Sequence, residues 1–306
     1  MDLLPEFNHP QFPITFRRLA VALAITGFLI TCALVPTRGR TAESSLAIVD
    51  AGIEQSEDAP FVPADYQFLP GDFVYFSFQI AGFSIKSEDP DEVRRISLAY
   101  EVTPQDLKGL ALTQPHSGTV QAELNPEDKN WMPKRRVSFL LPSFIAAGEF
   151  RIHVVVKDLF ANSQASKDFP FRIGGIKVQP SSTITVQNFR FFRQENDREP
   201  LEVPAYRPGD KIYASFEMVG YKIGPQNQHH VAYGLTVLRP DGKPFLEQRE
   251  AAEFHETSFY PAHFIPGNFT VTTSPDTSRG HYIVILTVRD MIANQTYQAK
   301  QAFSVE

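Results

Sequence analysis

Histidines and clustered carboxylates are the residues of this chain whose types and spacing could do chemistry. His229-His230, His255 and His263 all fall in its second half. Imidazole is a common ligand of transition metals, so a zinc-type site is the chemistry they would support. Adjacent residues of a strand point to opposite faces, however, so His229 and His230 do not easily share one ion. Glu88-Asp89-Pro90-Asp91-Glu92 sets four carboxylates within five residues, and clustered oxygens suit a hard cation such as calcium. Arg94 and Arg95 follow closely and neutralise part of that charge, while the matching stretch Gly224-Pro225-Gln226-Asn227-Gln228 carries none. A solvated acidic loop is the simpler reading. Asp158 with Asn162, and Asp290 with Asn294, repeat one spacing. Such a pair could close a ligand or cation site at one end of a domain. It could equally make a hairpin turn, because Asp and Asn bond nearby backbone and tolerate left-handed φ. The turn explains the repetition without a ligand.

No familiar catalytic motif accompanies these groups. The chain has no Gly-x-Ser-x-Gly and no His-Glu-x-x-His, the local patterns of common hydrolases. It has no glycine-rich phosphate loop and no dinucleotide fingerprint. A triad assembled from distant residues is a matter of geometry and leaves no such trace. The sequence therefore names no catalytic residue, no metal ligand and no cofactor. Asn268-Phe269-Thr270 and Asn294-Gln295-Thr296 fit the glycosylation pattern, which matters only in a host that glycosylates exported chains.

The elements that must position these groups emerge from an internal repeat. Pro70-Gly71-Asp72-Phe73-Val74-Tyr75-Phe76-Ser77-Phe78-Gln79-Ile80-Ala81-Gly82 returns as Pro208-Gly209-Asp210-Lys211-Ile212-Tyr213-Ala214-Ser215-Phe216-Glu217-Met218-Val219-Gly220, identical at seven of thirteen positions. Val62-Pro63-Ala64 answers Val203-Pro204-Ala205, and Gly148-Glu149-Phe150 answers Gly280-His281-Tyr282. The order is the same in both halves, so the chain reads as a duplicated domain. Each block alternates with period two, the mark of a half-buried strand. Val74, Phe76, Phe78 and Ile80 face a core, as do Ile212, Ala214, Phe216 and Met218; Tyr75, Ser77 and Gln79 point away. Ile96, Leu98, Tyr100 and Val102 form a further inward set, matched by Val231, Tyr233, Leu235 and Val237. Phe150, Ile152, Val154 and Val156 are matched by Tyr282, Val284, Leu286 and Val288. No helix is expected after residue 40.

The chain has 306 residues, which suits about two domains. It is 42% hydrophobic and 21% charged, with 26 Phe and 24 Pro, a composition for a buried core built from short strands and turns. The net charge of −6 offers no basic excess for nucleic acid. The single cysteine, Cys32, excludes a disulfide within the chain. Residues 19–35 carry no charge, Arg17-Arg18 precede them and Arg38 follows. That is the pattern of an export signal or of a membrane anchor at its shortest length. The long lead-in and the poor small-residue cleavage signal favour an anchor. Leu29-Ile30-Thr31-Cys32 resembles a lipobox, with Thr31 ill suited to the place before the modified cysteine. The chain ends at Val305-Glu306 after the last strand, and no C-terminal sorting signal is expected.

The expected architecture is all-β: two tandem antiparallel β-sandwiches at 43–174 and 175–306, joined at Gly174-Gly175 and preceded by residues 1–42 with a hydrophobic helix at 19–35. Each copy resembles the immunoglobulin-like and fibronectin type III-like modules of secreted and cell-surface proteins. The Pro-Gly-Asp strand opening and the late strand leading to Asp158 and Asp290 carry the resemblance. Gly280-His281-Tyr282 is similar to the tyrosine corner of such folds; Phe150 lacks the hydroxyl. The paired cysteines and core tryptophan of antibody domains are missing, and Trp131 falls in an expected loop. The resemblance implies a fold and carries over no functional residue.

The functional expectation is a non-catalytic extracytoplasmic interaction or structural protein, displaying two immunoglobulin-like domains from the membrane. Its alternatives are a pair of carbohydrate-binding modules and a hydrolase without a recognisable motif. The expected partners are the membrane, through residues 19–35, and another protein. A glycan is the second candidate, though one tryptophan makes a poor aromatic platform. The chain faces the periplasm or the extracellular space, or is cleaved and secreted. Residues 43–174 carry 12 basic and 19 acidic side chains, and residues 175–306 carry 13 and 14, a divergence that suits different partners.

Overall fold

Pro-Gly-Asp opens a strand at two places, and both turns are built alike. Gly71 and Gly209 take φ of +84° and +93°, a conformation that costs glycine little. The Asp72 carboxylate accepts the Leu69 N–H at 2.7 Å, and Asp210 accepts that of Arg207 at 2.8 Å. A computed structural model describes residues 45–87, 93–125, 127–128 and 130–306. The segment 19–35 with Cys32, and the acidic run Glu88–Glu92, lie outside the described residues.

The strands that follow fall into two groups. The first holds β1 (Ala47–Glu54), β2 (Gln67–Phe68), β3 (Phe73–Ala81), β4 (Arg94–Asp106), β5 (His116–Leu124), β6 (Lys134–Leu140), β7 (Gly148–Asp158) and β8 (Ser163–Ile173). The second holds β9 (Thr185–Phe192), β10 (Ala205–Tyr206), β11 (Lys211–Val219), β12 (His229–Leu238), β13 (Pro244–Glu256), β14 (Ile265–Thr272), β15 (Gly280–Asp290) and β16 (Gln295–Val305). The first group forms a three-stranded sheet, β1-β3-β6, and a five-stranded sheet, β2-β8-β7-β4-β5. The second forms β14-β11-β9 and β10-β16-β15-β12-β13. One order of connection is thus used twice. Among the described residues the sole helical element is the 3-10 turn Pro225–Asn227. The pairings are antiparallel except for two short parallel ones, β2 with β8 and β10 with β16. A bulge bends β1 at Asp50 and β9 at Asn188, which take φ of 44° and 48°; the extra residue sharpens the local twist.

Each sheet pair encloses its own core. Val74, Phe76, Phe78 and Ile80 lie in the first with Leu98, Val102, Ile152 and Val154. Ile212, Ala214, Phe216 and Met218 lie in the second with Val231, Leu235, Val284 and Leu286. Period-two alternation thus places the inward residues of β3, β7, β11, β12 and β15. Tyr100 also packs against the first core but is only half-buried, and its hydroxyl lies over Gly118, where a Cβ would stand 2.5 Å away. The Tyr282 hydroxyl donates to the Ser278 carbonyl at 2.7 Å, as the resemblance to a tyrosine corner implies.

Ser77 also corrects the sequence reading. It stands on the face away from the core, yet it is fully buried. The reason is a cover the alternation does not show. Ser77 pairs with Gly52, and the Phe61 ring lies over Gly52, 2.9 Å from where a Cβ would be. Beneath it the Ser77 hydroxyl donates to Glu54 at 2.5 Å, and the Lys134 ammonium approaches the same oxygen at 2.9 Å. Burial pushes the Glu54 carboxyl up, but these bonds and the charges of Lys134 and Arg136 outweigh it and hold it low.

Candidate functional site

The polar groups of widest reach converge where the two sheet pairs meet. The segment 257–264 connects β13 to β14 and crosses to the first pair. Tyr260 is 4% exposed, and its ring belongs to the first core although its chain neighbours belong to the second group. Its hydroxyl donates to Asp106 Oδ2 at 3.4 Å and lies 3.0 Å from His263 Nε2. The His263 N–H donates to the Phe144 carbonyl at 2.9 Å, and the Ala146 N–H donates to His263 Nδ1 at 3.1 Å. Phe144 and Phe264 meet edge to face, 6.3 Å between centroids. From the second pair, the Tyr221 hydroxyl supports the segment by donating to the Ala262 carbonyl at 2.7 Å.

The chain from Gly174 to Ile184 is bonded to both sides of this junction. The Gly174 N–H donates to Phe68, and the Ala147 N–H donates to Ile176. Asn188 holds the Lys177 carbonyl, and Gln187 exchanges two hydrogen bonds with the backbone of Gln179. Between connector and junction lies a groove of about 520 Å³. Phe150, Val178, Val219 and Ile223 supply apolar wall; Asp106, Lys108, Tyr260 and His263 supply polar groups. A mostly apolar cleft with a few convergent polar groups is the usual form of a recognition site.

Burial raises the Tyr260 phenol, and the Asp106 charge adds to it, so the hydroxyl stays protonated and available as a donor. The protein around the His263 ring lowers its pKa by disfavouring the imidazolium; Asp106 pulls the other way and Lys108 reinforces the fall. Removing only the Tyr260 hydroxyl is expected to cost about 1–2 kcal/mol, the scale of one or two hydrogen bonds. Denaturant unfolding of the Tyr260→Phe chain measures this; an unchanged midpoint would show that the hydroxyl does not support the junction.

The other histidines are dispersed. His229 is 2% exposed, its ring lies 5.8 Å from that of Tyr221, and its Nδ1 has no partner. His230 points the other way and stacks on its cross-strand neighbour His255 at 4.4 Å. Its Nε2 meets Glu253, while His255 meets Gln228. Among the described residues no group of three or more His, Cys, Asp or Glu side chains is placed to hold a metal. His153 is partly exposed and bonded to Asp168 at 2.6 Å.

Burial lowers the His229 pKa, against the pull of Glu256. The unfolded imidazole therefore takes a proton at higher pH than the folded one. Stability should fall as pH drops below the unfolded value of about 6.5, by at most about 1.4 kcal/mol per unit, until the folded value is reached. Glu217 acts oppositely, since burial raises its carboxyl. Comparing the parent with His229→Phe over pH 7.5 to 5.5 cancels that contribution. The variant should lose less stability on acidification; equal losses would mean that His229 titrates freely.

The repeated Asp residues prove to be hairpin anchors. Both are 1% exposed. Asp158 Oδ1 accepts the N–H groups of Phe160 and Ala161, and Oδ2 accepts that of Ser84 at 2.6 Å. Asp290 repeats this with Ile292, Ala293 and Lys222. Asn162 and Asn294 close the turns at φ of 52° and 53°. Each carboxylate thus ties a hairpin to the chain that leaves β3 or β11. Sequence reasoning noted His263 but missed Tyr260 and Asp106. A signal was present: Phe259-Tyr260-Pro261 and Phe264 make an apolar loop, which an exposed connection would not need.

No family model matches the chain, and no curated protein matches it. Solved structures with some likeness include the C-terminal domain of the antigen I/II-family protein AspA of Streptococcus pyogenes, at 10% identity and a TM-score of 0.30, covering 86% of this chain and 100% of that one. The C-terminal domain of the Streptococcus agalactiae antigen I/II polypeptide BspA gives 8% identity and 0.29, covering 83% and 99%. The alpha-2-macroglobulin of Escherichia coli gives 13% identity and 0.24, covering 87% of this chain and 14% of its own. Superpositions this loose assign neither a family nor a function.

Proposed function

We propose that the chain is a non-catalytic interaction protein working outside the cytoplasmic membrane. Residues 19–35 hold it there, and residues 43–174 and 175–306 act as two tandem immunoglobulin-like domains. The observation that carries this reading is the arrangement of sheet edges. β5 and β13 end the two five-stranded sheets, and β6 and β14 end the three-stranded ones. Outer strands of this kind offer unpaired backbone to a partner. β13 is thirteen residues long and exposes Glu247, Gln248, Arg249 and Glu250, which suits a polar, reversible contact. The uncharged run before residue 36 and the lack of thiols after Cys32 support export to an oxidising compartment.

Photo-crosslinking in the native host tests the reading. A photoreactive residue at Gln248 or Thr119, both exposed on edge strands, should give discrete protein adducts. Adducts to glycan alone, or turnover of a substrate by the purified chain, would overturn it.

A further inference from the structure

We propose that His263 is a proton-sensitive latch between the two sheet pairs: taking up a proton on its imidazole releases the junction. The argument rests on which atoms can donate. A backbone N–H only donates, so the Ala146 N–H, 3.1 Å from His263 Nδ1, requires that nitrogen to be bare. In a neutral ring the proton then sits on Nε2, which faces the Tyr260 hydroxyl at 3.0 Å. The hydroxyl accepts from Nε2 and donates onward to Asp106. One direction of donation runs from Ala146 of the first pair, through His263 and Tyr260 of the second, to Asp106 of the first.

Protonating Nδ1 sets two donors against each other at the Ala146 contact. The ring must leave, and with it goes a bond that crosses the junction beside the His263–Phe144 backbone bond. The charged groups facing the imidazole are Asp106 and Lys108, from the end of β4 and the turn after it; Glu149 at the start of β7 lines the same groove, and Tyr221 and Tyr260 face it from the second pair. The Asp106 charge favours the imidazolium but does not offset what opposes it, and its hydrogen-bonded path to the ring runs through the Tyr260 hydroxyl, so it takes no bond from Nδ1. His263 is exposed as a residue, but the protein packed on one side of its ring still disfavours the imidazolium, which keeps the latch closed near neutrality and places release on the acidic side of 6.5. The groove lies at this junction, so its walls move with the latch.

The test uses the full chain with Cys32→Ser, and fluorophores at Thr119→Cys and Gln248→Cys on the outer edges of the two pairs. Energy transfer should report one distance at pH 7.5 and change as the pH falls below 6.5. Protection of the Ala146 amide from exchange, corrected for intrinsic rate, should fall about tenfold over that range. In His263→Asn the side-chain oxygen accepts from Ala146 at every pH, so both readouts should stay flat. His229 is present in both chains. A transition common to both therefore belongs to His229 or another group and overturns the proposal. So does a parent chain whose distance and Ala146 protection hold steady after His263 has titrated by nuclear magnetic resonance.

Discussion

Phe216→Ala and Phe78→Ala should each lower stability by about 3–5 kcal/mol, the range for deleting a buried phenylalanine ring. Both side chains are fully buried. Phe216 stacks parallel to Phe189 at 5.8 Å and meets Tyr233 edge on at 5.1 Å. Gly267 faces it across the sheet, and a Cβ there would stand 2.4 Å from the ring. No neighbouring side chain can swing in from that position to fill the vacated volume. Phe78 meets Tyr100 edge on at 5.6 Å and Phe76 at 5.9 Å. Tyr75→Ala should cost less, because Tyr75 is half-buried on the opposite face. Denaturant unfolding of the three variants decides this, and equal losses for Phe78 and Tyr75 would contradict the period-two facing.

Asp290→Ala should cost about 3–5 kcal/mol. The residue is 1% exposed and accepts three backbone N–H groups. Hydrogen bonds to a charged acceptor contribute about 1.5–3 kcal/mol each, and part of that returns where water reaches the turn. Asp290→Asn keeps one oxygen and should lose about half as much. Asp158→Ala should behave alike in the first sheet pair, with a pH signature. Burial raises the Asp158 carboxyl, but the Ser84, Ala161 and Phe160 N–H groups outweigh it, so the folded value lies below the unfolded one. Its stabilisation is therefore present above the unfolded value and lost as pH falls through the folded one. A stability profile for Asp158→Ala that parallels the parent through the acid range would contradict this.

Much of the fold was legible because its signals are local. Period-two alternation placed the buried residues of β3 and β11, and Pro-Gly-Asp placed the turns before them. The Asp158–Asn162 and Asp290–Asn294 spacing was legible as a turn, since the geometry that makes it repeat is backbone geometry. What escaped depends on contacts distant in sequence. Ser77 is buried because Phe61 and Glu54 cover it, and nothing within β3 records that cover. Tyr260 sits in a core built mainly by residues more than eighty positions earlier, so its role appears only when the two sheet pairs are placed together. In the sequence His263 stands out only as one of several histidines in the second half. Its imidazole faces a tyrosine and a backbone amide, a hydrogen-bonding environment.

The proposed function sets two sheet pairs of the same strand order to work outside the membrane, and the proposed latch would adjust how the two are presented. Protease shaving of intact cells, or of cells stripped of an outer envelope, tests its central claim most directly. Residues 43–306 should be cleaved from outside while a cytoplasmic marker stays intact, with the remnant carrying residues 19–35 retained in the membrane fraction. A chain recovered whole in the cytosol and protected from protease until the cells are broken would contradict the account.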